Sequence, residues 1–298
     1  MSTSWRVNLF LTYIAPWFSS PLIWYHQHVI GHHAYTNILG KDPDLYHAPS
    51  LWRFTPEVRW RSAHGWQWLT TPLIWALGVP TLLFIKPILA LRSGFINRVV
   101  RIFPGLPKWR IALHAVGRIL VWFSLYGWPW LLFPGRPLKA LVFSLLPITV
   151  YSLWFMVWSQ INHHSDEASA HSVKFPVNWY RHQVATSQTV APQSFLAFLF
   201  SGGLNLQAEH HLFPAVNHIH LAALQPKIQM AAGRHGLHYP SSDNVFQAIW
   251  KLFSFLQIMG ERPQPSPKDE MSPKSSRSTQ LKAARWKTLS DRASLREL

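Results

Sequence analysis

Residues 111–160 read IALHAVGRILVWFSLYGWPWLLF, then PGRP, then LKALVFSLLPITVYSLWFMVWSQ, and this stretch decides the fold. Ile111–Phe133 and Leu138–Gln160 are each long enough to cross a hydrocarbon layer of ~30 Å at ~1.5 Å per residue. Only Pro134-Gly135-Arg136-Pro137, a turn sequence, separates them. The spacing predicts a tight antiparallel transmembrane hairpin that enters and leaves on one side. Trp and Tyr near its ends suit the membrane interface. Arg118 within the first span has to face protein or reach for the near surface.

Upstream of the hairpin, Trp66–Leu91 is apolar but carries Pro72, Pro80, Pro87 and Lys86. That pattern predicts a broken, interfacial or re-entrant element that does not cross. The following loop, Arg92–Arg110, is basic, which places its side in the cytoplasm. The short apolar run Phe195–Leu204 is too brief to span and is expected to pack near the site. Met1–Ser4 has no basic residue and Phe10–Tyr25 is broken by Pro16 and Pro21, so no signal peptide is expected. Residues 261–298 are polar, Pro/Ser-rich and then basic, and read as a disordered basic tail. Lys282–Arg296 has a second reading as a short basic helix on an anionic membrane surface.

Composition agrees. Of 298 residues 48% are hydrophobic and 13% charged, against about 25% charged in soluble domains. Twenty-eight basic residues against 12 acidic ones give a net charge of +16. Seventeen Trp beside long apolar runs argue for a membrane protein with basic flanks rather than a nucleic-acid partner. There is no cysteine, so a transition-metal site must use nitrogen and oxygen ligands, and 17 His supply the nitrogen.

Three histidine sites stand out: Gln27-His28-Val29-Ile30-Gly31-His32-His33, Gln160-Ile161-Asn162-His163-His164 and Gln207-Ala208-Glu209-His210-His211. On an α-helix, at ~100° per residue, His28 and His32 share a face and His33 is turned a further ~100°. Adjacent histidines therefore serve two metals side by side more readily than one, and His210-His211 repeats the arrangement. Two facing doublets describe a dinuclear centre. A lone doublet reads as an interfacial polar pair, but both doublets here sit in longer recognisable strings.

Those strings are HVIGHHAYTNILGKDPD at residues 28–44 and SGGLNLQAEHHLFP at residues 201–214. They resemble the second and third histidine boxes of the front-end (delta-5/delta-6 type) membrane fatty-acyl desaturases, with HxxxHH in place of HxxHH in the second box. HQVATS at residues 182–187 is similar to a segment preceding the third box. The resemblance runs from about Trp5 to Tyr239. It implies an all-α integral-membrane fold, with the hairpin joined to cytosolic histidine-bearing helices. It implies two irons held by His28, His32, His33, His210 and His211, with His163 a further ligand and His164 a neighbour. Gln207 stands where other membrane desaturases have His. Asn37, Asp42, Asp44 and Glu209 are candidates to orient the imidazoles, or to serve as turn and cap residues.

The same resemblance implies dioxygen-dependent insertion of a cis double bond into a long-chain acyl group carried on coenzyme A or phospholipid. Cytochrome b5 and its reductase would supply electrons at the endoplasmic reticulum, with the boxes cytosolic. Residues 1–260 would form the desaturase domain. The family's first box, HDxxH, its first spans and its cytochrome b5-like domain are not in the sequence, and His26, beside His28 on one element, cannot replace the missing ligands. The chain is therefore expected to be truncated at its amino terminus and incomplete as written. Sphingoid-base desaturation, di-iron hydroxylation and a catalytically inactive truncated paralogue are the rival readings, with a zinc transporter more distant.

Overall fold

The computed structural model describes residues 21–102, 107–168 and 178–263, together with Ser4, Arg6, Val7 and Phe10. Most of the expected tail, and most of the stretch from Trp5 to Pro21, lie outside the described residues. The chain is mainly helical. We number its main helices α1 (residues 21–35), α2 (Ser62–Ala76), α3 (Gly78–Ser93), α4 (Lys108–Leu132), α5 (Pro137–Gln160), α6 (Trp179–Thr186), α7 (Phe195–Ser201), α8 (Gln207–Leu212), α9 (Leu221–Arg234) and α10 (Val245–Gly260).

Helices α4 and α5 are both long and apolar enough to cross a membrane, and they match the hairpin read from the sequence. Pro137 belongs to the helix rather than the turn. It is the first residue of α5, where its missing N–H costs nothing and its fixed φ starts the helix. Gly135 takes φ 71°, a left-handed conformation that L side chains disfavour, and so turns the chain between the two helices. Arg118 is half-buried on α4, one turn from the buried His114.

Helices α2 and α3 meet at a bend of 60°, and Pro72 and Pro80 lie on either side of the break at Leu77. The vertex rests on α5: Ser152 Oγ donates to Trp75 O and accepts from Val79 N at 2.8 Å. Both arms return to the histidine-bearing end of the molecule. On α2, Gln67 donates to Leu256 O of α10 at 2.8 Å; on α3, Ala90 packs with Ile23 of α1.

The fold departs from a purely helical one at two small sheets. β1 (Phe95–Ile96) and β2 (Val100–Arg101) pair antiparallel inside the basic loop, and β2 packs on α1. β3 (Thr189–Val190) and β4 (Ser241–Ser242) pair parallel, in the register Thr189 to Ser241 and Val190 to Ser242. Periodicity could not flag strands of two residues. Side-chain caps set the starts of the helices behind the site: Asn178 accepts from Arg181 N, Ser194 from Ala197 N and Asn244 from Gln247 N. The main core joins the end of α5 (Met156, Trp158, Ile161) to α10 (Leu252, Phe255, Leu256) and to Trp52 and Phe54. It forms the floor under the histidines.

Candidate metal centre

The histidine segment of α1 is not an α-helix. Tyr25–His32 is wound as a π-helix, and His33 N–H donates to His28 O, five residues back. A turn that spans five residues instead of four changes which side chains stack. His28 was expected to share a face with His32 and to diverge from His33. His28 does share a face with His32, their rings stacking at 5.4 Å, but it does not diverge from His33, whose Nε2 lies 3.1 Å from His28 Nε2.

From this element, from the end of α5 and from α8, six imidazoles converge into two groups. His28, His33 and His210 form one; His32, His163 and His211 form the other. Within each group the ligand atoms lie within 4.8 Å of one another. Each adjacent pair, His32-His33 and His210-His211, is divided between the groups. The His33 and His211 rings stack at 4.3 Å, so the groups adjoin. His32 Nε2 is 3.3 Å from His163 Nε2. Nitrogens bound side by side to one ion at ~2.1 Å sit about 3 Å apart, so these spacings suit a shared cation.

The donor set passes a second test. His210 Nδ1 and Nε2, His211 Nε2 and His33 Nδ1 are buried with no hydrogen-bond partner among the described residues. Buried polar atoms are nearly always paired, and unpaired imidazole nitrogens within such a cluster are suited to a cation. Burial holds most of these rings neutral. It lowers His33 to about 2 and His210 to about 3, with neighbouring imidazoles adding to the effect, and it pushes His28, His163 and His211 well below the usual histidine value. Neutral imidazole is the ligating form. At His32, burial also pushes downward, but the Asp42 and Asp44 carboxylates outweigh it and raise the group to about 9.

Orienting contacts reach the far nitrogens. His32 Nδ1 faces Asp42 Oδ2 at 3.1 Å, His163 Nδ1 faces Thr186 O at 3.0 Å, and His211 Nδ1 faces Gln183 Oε1 at 2.8 Å. In each case Nε2 is left for the shared centre. Gln207 Nε2 lies 3.0 Å from His163 Nε2, at the edge of the second group.

The other sequence-predicted residues divide. Asp44 Oδ2 is 3.6 Å from His32 Nδ1, and its Oδ1 accepts from Gln27 at 2.7 Å and meets His47 at 3.2 Å. His47 in turn contacts Lys86 of α3. Asp44 also joins His28 and His32 in a third, overlapping group. Asn37 orients no imidazole; its amide donates to His163 O at 2.9 Å and holds the backbone there. Glu209, a candidate either to orient an imidazole or to serve as a turn or cap residue, bonds to two side chains behind the site. It lies before His210 on α8, faces the other way, and accepts from Thr189 Oγ1 at 2.9 Å and from the Tyr239 hydroxyl. His164 stands outside both groups, stacked 4.1 Å from Phe54, and His26 is buried outside them as well.

The sequence reading missed Gln183, Thr186, Gln27, His47 and Tyr239. For Gln183 and Thr186 a signal was present, since both fall in the HQVATS segment.

Comparison with known proteins agrees with this geometry. The fatty acid desaturase family model matches residues 1–242. An acyl-lipid (8-3)-desaturase of Mortierella alpina is 30% identical over 259 residues, covering 83% of this chain and 55% of that protein. An acyl-lipid (8-3)-desaturase of Physcomitrium patens is 28% identical, covering 81% of this chain and 51% of its own length. An sn-1 linoleoyl-lipid 6-desaturase of Arthrospira platensis is 26% identical, with 82% and 66% covered. The chain thus spans about half the length of the first two relatives. No solved structure matches. With the family model covering most of the chain, both histidine boxes included, the chain belongs to the fatty acid desaturase family.

Proposed function

We propose that this chain carries the di-iron centre of a membrane acyl-lipid desaturase. The observation that supports it most is the division of each histidine doublet between two adjoining three-imidazole groups. His28, His33 and His210 would hold one iron, and His32, His163 and His211 the other. Nitrogen-rich sites of this kind suit iron among the first-row metals. Bound iron would supply the one-electron and dioxygen chemistry that side chains cannot. The overall reaction removes two hydrogens from adjacent methylenes of an acyl chain. Dioxygen accepts four electrons in forming two waters: two come from the C–H bonds and two from an external donor, here cytochrome b5 with its reductase.

This chain's own residues do the holding. Asp42, Gln183 and the Thr186 carbonyl fix the imidazole tautomers, and the apolar floor of Trp158, Phe54 and Phe255 keeps the groups dry. Helices α4 and α5 would cross the bilayer. The bent pair α2–α3 would be re-entrant, because its vertex meets Ser152, eight residues and so about 12 Å before the end of α5, while both arms return to the histidine end. All the boxes would then lie on one face, which the basic Arg92–Arg110 loop makes cytosolic, at the endoplasmic reticulum. The names of the relatives favour an acyl group on a complex lipid over one on coenzyme A.

The test is metal content of the purified full chain together with gas chromatography of host acyl chains after expression. Two irons per chain and a new cis double bond are expected; His32→Ala and His211→Ala should each lose one iron and the double bond. A hydroxylated product would point to the hydroxylase reading. Zinc in place of iron, with unchanged acyl chains, would overturn the proposal.

A further inference from the structure

Two helices outside the hairpin carry an apolar surface that the metal centre does not use. On α7, Phe195, Leu199 and Phe200 are exposed by 71%, 57% and 56%. On α10, Phe246 and Trp250 are exposed by 84% and 74%, while Ala248, Leu252 and Phe255 are turned into the core. The two helices share that core, with Ala197 of α7 and Ala248 of α10 both in it. Beside α10, to which Gln67 of α2 is bonded, α2 exposes Trp66.

We infer that this face lies in the membrane interface, so that the bilayer surface beside the metal centre, and not a protein partner, covers α7 and α10. The inference rests on the reading of α5 as a membrane span. The depth of α7 along the span favours lipid. Trp154 Nε1 donates to Phe200 O at 2.9 Å, and the two rings meet at 5.6 Å. Trp154 precedes the end of α5 by six residues, which puts the end of α7 about 9 Å below the histidine end of the span. A helix tied there is already within the apolar layer.

The length and pattern of both helices agree. α7 has 7 residues and α10 has 16, both short of the ~20 needed to cross. α10 buries one side, with Phe253 partly packed against the core, and shows Phe246 and Trp250, one turn apart, on the other. Such a helix lies flat, with its aromatic face in the acyl boundary. Charge points the same way. α7 contains no ionisable residue, and Lys251 of α10 is turned to Glu167 at 2.9 Å. With no charge to be desolvated, the face suits lipid, and its Phe and Trp extend the aromatic belt of the hairpin.

The full chain has no cysteine, so single-site labelling is direct. Nitroxide would be placed at Leu199→Cys, Phe246→Cys and Trp250→Cys in phosphatidylcholine proteoliposomes. Collision with oxygen, which partitions into lipid, is compared with collision with a neutral aqueous nickel chelate. Val150→Cys, lipid-facing at mid-span, and Gln229→Cys, an exposed polar position on α9, are the references. The oxygen-to-nickel ratio at all three sites should exceed that at residue 229 several-fold and approach that at residue 150. If nickel reaches 246 and 250 as freely as 229 while 150 stays protected, the surface is in water and the inference fails, though the span stands. Exclusion of both reagents would mean a protein covers the face, which also overturns it. Nickel access at 150 would sink the spanning reading and this inference together. Because three exposed positions are labelled, failure of one variant to fold leaves two to decide.

Discussion

His163 Nδ1 lies 3.0 Å from the carbonyl oxygen of Thr186. A carbonyl can only accept, so the imidazole proton must sit on Nδ1, and Nε2 is left facing His32 and Gln207. A main-chain atom has thus fixed the tautomer of a side chain drawn from the end of a different helix. His163→Ala is expected to lose one of two metal ions per chain with helix content unchanged, read by plasma mass spectrometry and circular dichroism. Gln183→Leu, which leaves His211 Nδ1 only the Thr36 hydroxyl at 3.2 Å, should weaken metal binding by about 10–100-fold.

His32 gives a pH dependence of definite sign. Its pKa in the metal-free protein is raised from 6.5 to about 9. The His32–Asp42 pairing therefore stabilises the metal-free fold fully below about 6.5 and is lost as pH rises through about 9. Metal binding runs the other way, since the bound imidazole must give up its proton. Apparent metal affinity should rise roughly tenfold per pH unit between 7 and 8 from this one proton. Competition with a chelator at the two pH values measures the slope, and Asp42→Asn should flatten it.

Tyr239 closes a buried network behind α8. Its hydroxyl reaches Glu209 and lies 2.8 Å from Thr189 Oγ1, and burial holds the Glu209 carboxyl above its ordinary value. Tyr239→Phe removes a donor and leaves a buried acceptor short, at a cost of about 1–3 kcal/mol. A lowered thermal midpoint in detergent is the expected result, with the metal spectrum retained.

Gly31 is the contact between the π-helix and its supports. A Cβ there would meet Pro43 Cδ and Val100 Cγ2, both at 2.7 Å. Both are ring or branched atoms with little room to move. Gly31→Ala should cost about 1–3 kcal/mol through overpacking. It should also weaken metal binding, because His28 and His32 flank the displaced residue. Equilibrium dialysis with a first-row divalent metal would detect it.

The hairpin was legible because length and apolarity alone decide it, and Leu138–Gln160 ends within a residue of α5. The bent α2–α3 pair was legible in its prolines. The convergence of the histidine boxes followed from motif strings, whereas the pairing of His28 with His33 did not. Residue arithmetic assumes 3.6 residues per turn, and nothing in YHQHVIGH announces a wider helix. The side on which Glu209 lies was left open for a related reason: adjacency in sequence to a histidine says little about which side of a short helix a carboxylate takes. The Thr186 carbonyl could not be found at all, since every residue has one.

The π-winding of residues 25–32 explains how the longer HxxxHH motif can do the work of HxxHH. An additional residue between the first histidine and the doublet would carry the doublet's second member out of alignment on an α-helix. Here the wider turn absorbs it, and His28 and His33 meet as partners four apart would on an ordinary helix. The meeting of His28 with His33 is thus set by local helical pitch, so a spacer one residue longer can leave the histidine cluster in place. Excising Val29 should reset the pitch rather than scatter the ligands.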